Sequence, residues 1–74
     1  MTPVRTMRLV CSGFWVDVRL RQIRGRWICS ADTRDGPSVG VSFFPRDALI
    51  AALQPFDGLV DDLMETAPAD LRWQ

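Results

Sequence analysis

Four arginines and one tryptophan lie within one short stretch of this chain, residues 15–26. A guanidinium group pairs with phosphates or carboxylates, and an aromatic ring beside it can stack on a base or anchor a protein contact. The stretch therefore predicts a surface for an anionic partner. As a nucleic-acid site it would consist of Trp15, Arg19, Arg21, Arg24 and Arg26.

The same residues have two other interpretations, and the sequence leaves all three open. Arginines on a sheet face can be solvated, with their stems covering apolar surface. They can also pair with acidic helices of a second copy or of another protein. The residues predicted for such a protein contact are basic or aromatic on one side and acidic on the other: Trp15, Arg19, Arg21, Asp61, Asp62 and Glu65.

The charges divide along the chain. Residues 1–46 carry eight Arg and three Asp, a net charge of +5, and residues 47–74 carry one Arg, five Asp and one Glu, a net charge of −5. The total is zero and the pI is about 6.1. This balance argues against a dedicated nucleic-acid binder, because attraction to phosphate supplies most nonspecific affinity. The acidic residues 57–65 show no calcium-loop motif, which favours a solvated face or a docking surface for Arg.

Residue types for catalysis are scarce. The chain has no His, Lys or Tyr, so the commonest general acids and bases and the amine nucleophile are missing. Two thiols, Cys11 and Cys29, fall short of the four ligands that a zinc site usually has. We expect a noncatalytic protein without cofactors, in which both cysteines act as small buried hydrophobic residues.

Alternating apolar and polar residues predict strands over 14–23, 26–32 and 38–43, with a further candidate strand over 7–11. Strand 14–23 would place Phe14, Val16, Val18 and Leu20 on one face and Trp15 on the other, outward face. In the last strand we expect Val39, Val41 and Phe43 to face the core, with Gly40 and Ser42 outward. Trp27 is expected in the core. Tight turns are predicted at 12–13, 24–25 and 33–37, the last marked by Asp35-Gly36.

Helical signals follow the strands. Pro45 suits the first position of a helix that ends near Gln54, before Pro55. A second helix is predicted over 58–66, capped by Asp57, and Leu71 and Trp73 are candidates to fold back onto the body. Together these elements predict one small α+β domain over residues 1–74. Its antiparallel sheet would have three or four strands, with one or two helices packed on one face.

No apolar run approaches the length that crosses a bilayer, and the first residues lack the apolar stretch of a signal peptide. We therefore expect a cytoplasmic protein with no membrane contact. A chain of 74 residues can bury only a small core, which favours association with a second copy or another protein.

Residues 26–53 contain four short motifs in a fixed order: the strand Arg26-Trp27-Ile28-Cys29-Ser30-Ala31, the turn Asp35-Gly36-Pro37, the segment Val39-Gly40-Val41 and the helix start Asp47-Ala48-Leu49. In these motifs the stretch resembles the HicB-like domain of bacterial toxin–antitoxin antitoxins. Such antitoxins usually carry a DNA-binding segment after this domain. Residues 56–74 are acidic and too short for that segment, so the resemblance is to a stand-alone HicB-like domain.

The resemblance implies an antitoxin-like bacterial protein that acts by protein contact. Combined with the small size and the outward Trp15, it leads us to expect a homodimer or a complex with a protein partner. The alternative is a nucleic-acid-binding module that uses the Arg- and Trp-rich sheet face.

Overall fold

A computed structural model of the chain describes residues 4–72, so the predicted contact of Trp73 lies outside the described residues. Four strands come first in the chain. They are β1 (Arg5–Cys11), β2 (Phe14–Ile23), β3 (Arg26–Thr33) and β4 (Gly36–Ser42). All neighbouring strands pair antiparallel, and the sheet order is β1-β2-β3-β4. The predicted α+β class and antiparallel sheet are confirmed, with the candidate first strand included.

Three helices follow the sheet, two of them very short. They are α1 (Pro45–Ala52), α2 (Val60–Met64) and α3 (Ala69–Arg72), and a single 3₁₀ turn (Gln54–Phe56) separates the first two. Pro45 begins α1 as predicted, and Pro55 lies in the 3₁₀ turn. No helix within residues 4–72 is long and apolar enough to cross a membrane.

Two predictions about α2 are wrong. The helix has five residues instead of spanning 58–66, and its N-cap is Leu59, with no side-chain hydrogen bond from Asp57. Gly58 has a φ of +86°, a conformation that separates Asp57 from the helix start. Leu71 does fold back as predicted, because it is buried in the core.

The tight turns of the sheet follow from local chemistry. Arg24 and Gly25 have φ values of 52° and 79°, as a type I′ hairpin turn requires. Gly13 also has a positive φ, at 88°. The last turn lies inside the predicted range 33–37 and is shorter, with Arg34 and Asp35 between the strands and Gly36 as the first residue of β4.

The core lies between the sheet and the helices. Val16, Val18 and Leu20 of β2 are buried as predicted, and Phe14 on the same face is half-buried. Cys29 and Ala31 of β3 are buried as well. Trp27 is half-buried and packs against this core. The helices contribute the opposite side of the core, through Ala48, Leu49, Ala52, Leu53, Leu63, Met64 and Leu71.

The predicted orientation of β4 is wrong, because the strand turns its glycine toward the helices. Gly40 is buried opposite Cys29, while Val39, Val41 and Phe43 point to the other side of the sheet and are exposed. A β-carbon on Gly40 would lie 2.6 Å from the amide nitrogen of Ala52 and 2.8 Å from the β-carbon of Ala51. Close packing of α1 therefore selects glycine on the buried face and displaces the valines outward.

Candidate interaction surface

Within residues 4–72, no helix lies over one face of the sheet, and we call it the open face. It consists of the odd-numbered residues of β2 and of the residues paired with them in the register of β1, β3 and β4. Of the large hydrophobic residues that are exposed within residues 4–72, all but Phe44 lie on or beside this face: Val4, Val10, Trp15, Ile23, Val39, Val41 and Phe43. Exposed apolar side chains gathered on one face mark an interaction surface.

The apolar side chains of this surface are densest on and around β3 and β4. We call this group the apolar patch: Ile23, Ile28, Val39, Val41 and Phe43. Ile28 pairs directly with Val41, so their side chains lie side by side. The exposed fractions of Val39, Val41 and Phe43 are 59%, 52% and 68%. These apolar side chains are available for contact with another apolar surface.

Four arginines adjoin the apolar patch, Arg24 among them in the hairpin turn. The other three lie on the strands, and we call them the basic set: Arg19, Arg21 and Arg26. Arg21 pairs with Ile28 across β2 and β3, and the guanidinium of Arg26 lies 5.5 Å from the ring centroid of Phe43. Within residues 4–72, no carboxylate lies within 4.0 Å of any of the three guanidinium groups. Their charge is therefore free to meet an anionic group of a partner.

Trp15 is 60% exposed, as its predicted outward orientation requires, but it lies apart from the basic set. The guanidinium of Arg8 covers its ring at 5.0 Å from the centroid. Arg8 also donates two hydrogen bonds to Asp17, which lies between Trp15 and Arg19 on the same face of β2. A carboxylate thus interrupts the predicted Trp and Arg surface.

Arg24 lies in the hairpin turn at the far end of β2 from Trp15. At about 3.3 Å per residue, the two are about 30 Å apart along the strand. The five residues predicted for nucleic-acid binding therefore do not form one compact site. Arg19 and Arg21 line one shallow cleft of the open face and Arg24 and Arg26 line the next, whereas Trp15 lies at the opposite end of the strand.

The acidic residues predicted for protein contact lie on the other side of the molecule. Asp61 and Asp62 are exposed on α2, and Glu65 follows it directly. Asp61 and Glu65 line an open cleft of about 500 Å³ between the helices, together with Arg46, Met64 and Arg72. The acidic and basic parts of the predicted contact set cannot meet within one copy, because the sheet separates them.

Part of the charge split is neutralised within the chain. Arg5 donates hydrogen bonds of 2.6 and 2.8 Å to the two carboxylate oxygens of Asp70, which joins β1 to α3. These hydrogen bonds hold the pKa of Asp70 below its usual value, and the hydrogen bond from Arg8 does the same for Asp17. The open face keeps unpaired charge in the basic set.

No family model, curated protein or solved structure matches this chain. The resemblance of residues 26–53 to a HicB-like domain therefore stays a prediction.

Both cysteines are buried as free thiols, as expected of small hydrophobic residues. Burial raises the pKa of Cys29 from an ordinary 9.0 to about 12, so this thiol stays protonated at neutral pH. A thiol without access or ionisation does not react readily as a nucleophile. In the part of the chain that the structure describes, no three potential metal ligands of the His, Cys, Asp or Glu type converge.

Sequence reasoning did not identify the apolar patch, although the pattern of β4 contained a signal for it. The alternation of Val39, Val41 and Phe43 was assigned to the core, since apolar residues usually face inward. The signal was Gly40 between the two valines. A glycine inside a strand can mark a close approach of another backbone, and here that backbone belongs to α1.

Proposed function

We propose that this chain is a noncatalytic protein-interaction module that docks a partner protein through the open face. The observation that carries the proposal is the apolar patch, because four of its five side chains are exposed and all share one surface. Burying exposed aliphatic side chains against another apolar surface stabilises a complex by about 25 cal/mol for each Å².

The basic set specifies the kind of partner. Its three guanidinium groups are unpaired within residues 4–72 and border the apolar patch. A partner surface that combines aliphatic side chains with Asp or Glu would fit both features. Charge complementarity of this type also speeds association and rejects basic partners.

A protein partner fits the open face better than a nucleic acid does. Four of the five side chains of the apolar patch are aliphatic and cannot stack on bases, Phe43 being the exception. The guanidinium over the ring of Trp15 belongs to Arg8 and is already paired with Asp17. Within this proposal, the resemblance to HicB-like antitoxins would make the partner a toxin. The gene beside the one that encodes this chain would be the first candidate partner.

The test is capture of binding material from lysate of the native organism, with and without nuclease treatment, quantified for the wild-type chain and two matched variants. Arg21→Glu reverses a charge of the basic set, and Glu65→Arg makes the opposite change on the helix side. We expect Arg21→Glu to weaken retention of the partner about tenfold or more, and Glu65→Arg to leave it unchanged.

Two results would contradict the proposal. One is captured material that disappears with nuclease treatment and whose retention falls steeply with salt, because that behaviour indicates a nucleic acid. The other is loss of the partner with Glu65→Arg and not with Arg21→Glu, which would place the contact on the helices.

A further inference from the structure

The outer edge of β4 is an unpaired strand edge. β4 pairs with β3 alone within the described residues. A two-residue turn makes its flanking residues, Thr33 and Gly36, a hydrogen-bonded pair. Alternation then directs the backbone groups of Pro37, Val39 and Val41 away from β3. Pro37 agrees with this register, because it has no N–H to donate.

Nothing else in the described part of the chain uses this edge. No hydrogen bond from a helix, loop or side chain reaches the backbone of Val39 or Val41. Natural proteins protect free edges with charged side chains, bulges or covering segments. Residues 36–44 have no charged side chain, and Pro37 lies at the start of the strand. The edge is therefore open to pairing over Val39 and Val41.

The opposite edge of the sheet is protected. The backbone N–H of Val10 on β1 donates to the hydroxyl of Thr66 at 2.9 Å, and α2 contacts this strand. β1 also carries Arg8, a charged residue of the kind that discourages edge pairing. With one free edge and one protected edge, pairing stops after two copies and cannot propagate into a fibre.

We propose that a second copy of this chain pairs with β4, antiparallel and edge to edge, to form one continuous sheet across a two-fold axis. A two-fold interface brings the same surface of both copies together, and β4 suits this since its residues are uncharged. Face-to-face packing of two open faces would instead oppose one basic set to the other. The edge contact leaves both open faces exposed, so it does not depend on the proposed function.

The pairing differs in its physical basis from the homodimer expected from the charge split. A contact between basic sheet and acidic helices would weaken with salt, because screening shortens the range of exposed charges to about 8 Å at physiological ionic strength. Backbone hydrogen bonds and apolar contacts along β4 are uncharged. The dimer that we propose is therefore insensitive to moderate salt.

The experiment measures the solution mass of the full chain by sedimentation equilibrium over a concentration series, for the wild type and two variants. Val39→Pro removes the N–H of Val39, which points away from β3 as the backbone of Pro37 does. The substitution therefore breaks no hydrogen bond within the sheet of one copy. Ile28→Glu changes the open face on the central strand β3 and leaves the edge intact. We expect a salt-independent dimer for the wild type and for Ile28→Glu, and a folded monomer for Val39→Pro.

Amide hydrogen exchange of the wild type provides a second measurement in case Val39→Pro does not fold. As the protein concentration rises and the dimer forms, hydrogen exchange at the N–H groups of Val39 and Val41 should slow by about tenfold or more. Three results would overturn the proposal. They are a wild-type monomer at about 1 mM, oligomers larger than a dimer, or a dimer whose Val39 and Val41 amides exchange freely.

Discussion

Gly40 of β4 lies directly against the backbone of Ala48 in α1, so closely that no side chain fits between the strand and the helix. Ala48 and Ala52, the small residues of the facing helix, are both fully buried. This contact decides which side of β4 faces the core. It therefore also places Val39 and Val41 on the open face, where they form the apolar patch.

We predict that Gly40→Ala destabilises the fold by about 2–3 kcal/mol, because the added methyl group would meet backbone atoms that cannot rotate away. Urea unfolding measures the change. Val41→Ala, the neighbouring substitution on the exposed face, should change the free energy of unfolding by less than about 1 kcal/mol. Equal effects of the two substitutions would show that the approach of α1 is not tight.

The backbone at Arg24, in the hairpin turn between β2 and β3, has a strained conformation that a substitution can relieve. Arg24 is the one residue other than glycine with a positive φ within residues 4–72, and Asn tolerates that conformation better. We predict that Arg24→Asn stabilises the fold by about 0.5–1 kcal/mol, measured by thermal or urea unfolding. Arg34→Asn is the matched control, since φ at Arg34 is not positive, and it should give no gain.

The Arg5–Asp70 pair should contribute to stability at neutral pH and not in acid. The pKa of Asp70 is lower in the folded state than in the unfolded chain. The contribution of the pair is therefore fully present above the unfolded pKa of about 3.9, and it is lost as the pH falls through the folded pKa. We expect Asp70→Asn to be slightly less stable than the wild type at pH 7 and equal to it in strong acid. The effect is small because both side chains are exposed.

Asp62→Asn is the control for this pH dependence, because Asp62 has no Arg within 4.0 Å in the described part of the chain. At pH 7 the unfolding free energy of Asp62→Asn should lie close to that of the wild type, because the substitution removes no ion pair. A wild type that keeps its advantage over Asp70→Asn in strong acid would contradict an ionic contribution from this pair.

Alkaline solutions should destabilise the fold through Cys29. Its pKa is raised from 9.0 to about 12, so above pH 9 the unfolded chain loses a proton that the folded chain retains. Stability then falls with rising pH, with a slope that approaches about 1.4 kcal/mol per pH unit. Cys29→Ala should remove this slope, and in the native wild type the Cys29 thiol should not react with an alkylating agent at pH 7. Identical slopes for both proteins would contradict the burial of this thiol.

Part of the fold was predictable from local patterns. Strict alternation placed Val16, Val18 and Leu20 of β2 in the core and Trp15 outside, because the apolar residues 14, 16, 18 and 20 share one face of that strand. Gly25 marked the hairpin turn, and Pro45 marked the start of α1. Each of these features depends on residues close together in the chain, where propensity and periodicity act directly.

The candidate site was predictable only in part. The outward direction of Arg19 and Arg21 followed from the alternation of β2, but the pairing of Arg5 with Asp70 joins residues 65 positions apart. The apolar patch depends on the orientation of β4, for which the valine alternation predicted the wrong side. The helical end of the chain was also misjudged, since α2 gains its place from packing and is too short to follow from helix propensity.

The sequence by itself determined the strand periodicities, the ranges in which the turns lie, and the separation of basic strands from acidic helices. Tertiary structure alone decided which face of β4 is buried, which charges are neutralised, and which sheet edge stays unpaired. The physical reason is packing volume. A helix close to Gly40 leaves no room for a side chain, and this exclusion by residues distant in sequence outweighs the hydrophobic preference of two valines.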